Sequence, residues 1–134
     1  MIYLDSCALY KLVMSEAESE ALDAHVMQEN RRGQTVLASE LAYVEVRRAL
    51  IRAGADQRKH GEADALLDAY AKLPVGPTIQ KASRLTHPHL RSLDALHLAT
   101  AASLGKALTE FITYDRKLGK CAQEAGLPVL APGT

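Results

Sequence analysis

The sequence predicts an α/β fold in which a parallel central sheet is covered by helices on both faces. Two observations carry this. Short apolar segments alternate with segments of helical period along the whole chain. Each of those short segments is apolar on both of its faces, the signature of strands buried between layers. The length of 134 residues and mass of 14.5 kDa fit one domain spanning residues 1–134.

The elements are expected in this order. Ile2-Tyr3-Leu4 is a first strand, ended by Asp5. Residues 6–13 are a helix, because Leu9, Leu12 and Val13 fall at helical spacing. Ser15-Glu16-Ala17-Glu18 has the form of a capping box opening a helix to about Arg31, with Gly33 as its stop. Thr35–Ala38 is a second strand. Ser39 can cap a helix from Glu40 to about Ala53, closed by Gly54. Asp56 caps a fourth helix ending near Leu73, with Gly61 weakening its first turn, and Val75 offers a short strand in the connector between Pro74 and Pro77. Thr78 caps a short helix ending before Pro88, and Ser92 caps another from Leu93 to Leu104, closed by Gly105. Glu110–Thr113 is a strand that runs up to Asp115. A last helix reaches Ala125 with Gly126 behind it, and residues 128–130 form a final strand.

Composition narrows the function. Sixteen Lys/Arg balance sixteen Asp/Glu, and there are five Tyr, one Phe and no Trp. That argues against gripping nucleic acid by bulk charge or on aromatic stacking platforms. The zero sum hides an asymmetry. Residues 1–30 hold one Lys against six acids, residues 31–60 seven Lys/Arg against three acids, and residues 78–134 seven against four. Solvated helix faces account for most of these charges, while two basic segments could also flank something acidic. Cys7 and Cys121 make neither a disulfide framework nor a zinc motif, which suits a reducing, cytoplasmic setting. No apolar run is long enough to span a bilayer, and MIYLD does not open like a signal peptide.

Open parallel sheets bind ligands beyond the carboxyl ends of their strands. Asp5 and Asp115 follow strands directly, Asp94 lies in the first turn of a helix, and Glu45 borders the apolar stripe of Ala42, Val46, Ala49 and Leu50. Singly, each acid has an ordinary use: Asp5 and Asp115 as helix caps, Asp94 as a dipole partner, Glu45 paired with Arg48 or Arg52. Together they could converge. Like charges that close cannot all stay ionised in the protein alone. A hard divalent cation, Mg²⁺ or Mn²⁺, resolves the conflict with oxygen ligands and would serve phosphodiester hydrolysis.

The segments MIYLDSCALYKL, SELAYVEVRRAL, LRSLDALHLATA and FITYDRKL, in this order along nearly the whole chain, resemble the PIN-domain ribonucleases of the VapC toxin type. The resemblance implies a three-layer PIN-like fold and a catalytic set of Asp5, Glu45, Asp94 and Asp115. It implies Mg²⁺ or Mn²⁺ held by Asp5, Asp94 and Asp115 for endonucleolytic cleavage of RNA. It further implies a toxin that blocks translation, a cognate antitoxin and a homodimer. Some PIN nucleases carry a further acid just past the fourth; here Arg116, Lys117 and Leu118 stand there instead, so a second metal would lack that ligand.

Ser6 and Thr113 sit beside the strand ends, where a hydroxyl can bond a ligating carboxylate; helix capping and β-propensity are their ordinary uses. Arg91 and Arg116 flank the acids and are candidates for holding RNA phosphates. His97, three residues after Asp94, reads first as a buried structural residue, and both cysteines read as packing residues. Two other α/β classes lack their motifs. An acyl-phosphate phosphatase would need an acid where Cys7 stands, and a receiver domain would need a pair of adjacent acids. A PIN nuclease of RNA maturation and a non-catalytic PIN-like binding module remain as alternatives to the toxin.

Overall fold

The computed structural model describes residues 1–134. Five strands form one all-parallel sheet in the order β3-β2-β1-β4-β5. They are β1 (Ile2–Leu4), β2 (Val36–Ser39), β3 (Ala71–Leu73), β4 (Glu110–Ile112) and β5 (Val129–Leu130). Seven helices connect them: α1 (Ser6–Val13), α2 (Ser19–Arg31), α3 (Leu41–Arg52), α4 (Gln57–Ala69), α5 (Ile79–Ser83), α6 (Ser92–Ala102) and α7 (Arg116–Glu124). The three-layer α/β architecture is as the sequence predicts.

Side chains of successive strand residues point to opposite faces, and the core divides accordingly. Ile2, Leu4, Val36, Ala38 and Ile112 face α1–α4, where Leu9, Leu22, Leu50 and Leu67 complete one cluster. Tyr3, Leu37 and Phe111 face the other way onto Leu98, Leu118 and Ala122 of α6 and α7. Tyr3 and Phe111 stack with centroids 5.4 Å apart. β1 lies at the centre, paired with β2 on one side and β4 on the other. The chain builds outward from β1 to β3, then crosses back to β4. The switch point therefore falls between β1 and β4, and the loops after those two strands carry Asp5 and Asp115.

Local expectations fail in four places. Ser15–Glu18 forms no capping box. The Ser19 hydroxyl instead accepts from Glu16 N–H and donates to the Lys11 and Met14 carbonyls, so α2 begins at Ser19. Ser39 ends β2 fully buried, and its hydroxyl takes the Leu41 N–H while α3 starts one residue after Glu40. α4 stops at Ala69, and the third strand is Ala71–Leu73 rather than Val75. That strand lies at the sheet edge and is only partly buried, which removes the apolar signature a sequence reading needs. Neither Thr78 nor Ser92 caps a helix by side chain. Thr78 is buried and bonds the Val75 carbonyl and the Thr100 hydroxyl. The glycine stops do hold. Gly54 and Gly126 have φ of 66° and 83°, a left-handed conformation that side chains disfavour.

Candidate active site

The crevice starts from two helix N-termini. Asp5 caps α1: its Oδ1 accepts the Ala8 N–H at 2.9 Å. Its Oδ2 accepts the Thr113 hydroxyl at 2.5 Å, and the Cys7 thiol donates to Oδ1 at 3.0 Å. Asp115 caps α7 in the same way, its Oδ1 accepting the N–H groups of Lys117 and Leu118. Both capping roles are real, and they consume different amounts of each carboxylate. Asp5 has both oxygens engaged, whereas Asp115 gives one oxygen to the helix and keeps the other free of protein donors.

Glu45 projects from α3 toward α1 and α6. Its Oε1 accepts from the Ser6 hydroxyl at 2.8 Å and pairs with His97 Nε2 at 2.7 Å. The expected pairing with Arg48 or Arg52 does not form. His97, 1% exposed, turns its other nitrogen to the Tyr3 hydroxyl at 2.7 Å. A chain of hydrogen bonds therefore runs from the sheet through His97 to the Glu45 carboxylate. His97 is the buried structural residue expected from sequence, and the structure adds its contact with Glu45. No local pattern could have revealed that contact, because Glu45 and His97 lie 52 positions apart. Asp94 stands one turn before His97 on α6 and has no hydrogen-bond donor opposite it.

Asp94 feels the charges of the other three acids. Burial pushes the Asp94 carboxyl up, and the charge of Asp115 adds most among its neighbours, with Glu45 and Asp5 contributing. Burial likewise raises Asp5, against the hydrogen bonds from Thr113, Cys7 and the Ala8 N–H. Burial acts upward on Glu45 too, but its hydrogen bond and charge interaction with His97, together with Ser6, outweigh it, and Glu45 lies low. His97 is raised: the Glu45 hydrogen bond and charge overcome its own burial. The Cys7 thiol, buried against Asp5, is pushed up to about 12, so it is a protonated donor here rather than a nucleophile.

The donor set can be tested against a divalent cation. No three His, Cys, Asp or Glu side chains already stand together as a ready-made chelating group. Asp5, Asp94 and Asp115 have no Lys or Arg within ion-pair reach. Two of these three have raised pKa values from burial, and Asp94 also from mutual repulsion. An all-oxygen set short of positive charge suits a hard ion that keeps part of its water shell.

Basic residues border the acids. Arg91, Asp94, Asp115, Arg116 and Lys117 line one cavity of about 400 Å³ together with His89 and Leu90. Glu45, Arg48 and Arg52 line a second, of about 380 Å³, between α1 and α3. The sequence pointed to Arg91 and Arg116 as phosphate holders and to Arg48 and Arg52 only as ion-pair partners of Glu45; that the latter two stand unpaired in a cavity with Glu45 emerges from the structure.

A parallel sheet with acids gathered at its switch point defines a class, and the comparisons agree with it. The chain belongs to the PIN-domain family, whose model, described as "PIN domain", matches residues 2–124. It is similar over nearly its full length to three proteins of Mycobacterium tuberculosis. Ribonuclease VapC46 is 41% identical over 133 residues, 98% of this chain and 97% of that protein. Ribonuclease VapC47 is 38% identical over 134 residues, 99% and 98% of the two chains. Ribonuclease VapC35 is 38% identical over 136 residues, again 99% and 98%.

Proposed function

We propose that this chain is the endoribonuclease toxin of a toxin–antitoxin pair, cutting RNA phosphodiester bonds with Mg²⁺ or Mn²⁺ and so inhibiting translation. The single observation that supports this most is that Asp5 and Asp115 cap the helices that follow the two strands at the switch point, with Asp94 within range of the charges of Asp115, Glu45 and Asp5. The names of the relatives supply the reaction class, ribonuclease.

Asp5, Asp94 and Asp115 would hold the cation. When bound, a divalent ion supplies a more acidic water and neutralises charge developing on the phosphoryl group. The protein's own residues do the rest. Thr113 and the Ala8 N–H fix the Asp5 carboxylate in one orientation. Ser6 and His97 hold Glu45 by one oxygen, and its second oxygen would accept the proton of the attacking water. As the water oxygen bonds to phosphorus, the bond to the departing sugar oxygen breaks. Arg91 and Arg116 would hold the flanking phosphates, because an acidic crevice repels RNA by itself. The same reading gives the chain a cognate antitoxin, a homodimeric state and a place in the cytoplasm with its substrate. No helix is long and apolar enough to cross a membrane.

The test is direct. Purified protein is incubated with cellular RNA and Mg²⁺ or Mn²⁺, and discrete fragments are expected. They should vanish with EDTA and in the folded variants Asp5→Asn and Asp94→Asn. Cleavage by those variants at the parent rate would overturn the reading.

A further inference from the structure

The groove between α1 and α3 is lined by one of the four acids, Glu45, together with Arg48 and Arg52. These three lie at i, i+3 and i+7, on one face of α3. The buried face of that helix carries Ala42, Val46 and Leu50. Arg47, the neighbouring arginine, is paired with Asp64 on α4. Arg48 and Arg52 have no carboxylate partner. Unpaired guanidinium groups at the rim of a groove are ready to meet an anion.

The walls of the groove are apolar. Val44 is 63% exposed and Leu93 46% exposed, and both line it, together with the half-buried Tyr10 of α1. At 1.5 Å rise per residue, the backbones of Arg48 and Arg52 lie about 4.5 Å and about 10 Å along the axis from that of Glu45. That places two cations within the reach of two successive phosphates beyond a bond held at Glu45.

We propose that this groove is a nucleotide subsite for a single RNA strand, with Arg48 and Arg52 on its phosphates and Val44, Leu93 and Tyr10 against an unstacked base. The inference rests on the nuclease reading above. A single strand is favoured over a duplex because only an unpaired base offers its flat face to an apolar wall. The cavity of Arg91, Arg116 and Lys117 is a separate one that includes Asp94 and Asp115 in its lining, so arginines line both cavities that carry the acids Glu45, Asp94 and Asp115.

The test measures binding, so it does not depend on turnover. The probe is a short mixed-sequence single-stranded oligoribonucleotide, fluorescently labelled, titrated with the full chain carrying Asp5→Asn. Each phosphate contact on a single strand contributes about 0.7 to the slope of log affinity against log salt. Arg48→Ala/Arg52→Ala is expected to lower that slope by about 1.4 and to weaken binding at least tenfold at moderate salt. Val44→Asp is expected to weaken it with little change of slope beyond its own charge. Lys106→Ala, at the opposite end of β4, should change neither. Binding by the parent with an unchanged slope in the folded double variant overturns the subsite and hands the groove to a protein partner. Absence of binding by the parent overturns the nuclease reading with it.

Discussion

Replacing His97 tests the best-defined contact beneath the site. His97→Leu keeps the volume near that of the imidazole and removes the hydrogen bonds to Glu45 and Tyr3, along with a longer contact to the part-buried Ser6 hydroxyl, which keeps its bond to Glu45. The two losses differ in weight. The Glu45 side chain is 23% exposed, so it can turn to water and recover most of its solvation. Its share is therefore about 1 kcal/mol, below the usual range for a bond to a charged group. Tyr3 is 0% exposed, and without this partner its buried hydroxyl keeps only Ser39 as a polar neighbour, short of the 2.7 Å bond it has lost. An unsatisfied buried group costs about 1–3 kcal/mol. The expected loss is about 3 kcal/mol, dominated by Tyr3. Adding Tyr3→Phe to His97→Leu removes that hydroxyl, so the double variant is expected to be about 1–2 kcal/mol more stable than His97→Leu alone. Urea unfolding of the metal-free protein, with slopes compared as well as midpoints, measures both. A double variant as unstable as the sum of the two singles would refute the reasoning, and so would a His97→Leu cost below about 1 kcal/mol.

Two further outcomes follow from the carboxylates. In the presence of a chelator, stability should fall as pH rises. Asp5, Asp94 and His97 all have folded pKa values raised above their unfolded ones, so each holds its proton longer when folded, and its contribution is lost as pH climbs through the folded value. Glu45, lowered, works in the opposite sense at acid pH. Thermal unfolding across pH should show the high-pH part of this fall flattened in His97→Gln; an unaltered profile would contradict the assignment. Asp94→Asn removes a charge repelled by Asp115, Glu45 and Asp5. It should make the metal-free protein more stable by about 0.5–1 kcal/mol while abolishing any rise in melting temperature on adding Mn²⁺. Calorimetry with and without the ion checks both, and a destabilised metal-free variant would refute the repulsion argument.

Most of the architecture was legible because it is written in local pattern. The buried strands at Ile2–Leu4, Val36–Ser39 and Glu110–Ile112 are apolar runs, and the glycines at 54 and 126 punctuate helices as expected. The edge strand at Ala71–Leu73 escaped because an edge strand is half exposed and follows its helix after a single residue. The box at Ser15–Glu18 misled because Ser19 offers a competing set of bonds to the end of α1, a tertiary choice that no spacing records. The site divides likewise. Asp5 and Asp115 are placed by strand ends and could be found from sequence. The Tyr3–His97–Glu45 chain joins the sheet to two helices and exists only once they pack.

Asp5 and Asp115 both cap helices, and capping reinforces the metal-holding role proposed for them rather than competing with it. A helix N-terminus presents N–H groups and a positive end of the dipole. An aspartate anchored there is held in one orientation and has part of its charge offset without an ion pair to Lys or Arg. The crevice can therefore gather acids at moderate cost while leaving them free of the Lys and Arg partners that would compete with a metal. Asp94 shows the limit of this arrangement. It sits in the first turn of α6 without accepting a backbone N–H, is half-buried, and carries the repulsion of the other three. It is the acid whose charge the fold compensates least, which is why its neutralisation, by mutation or by a bound ion, should move stability more than that of Asp115.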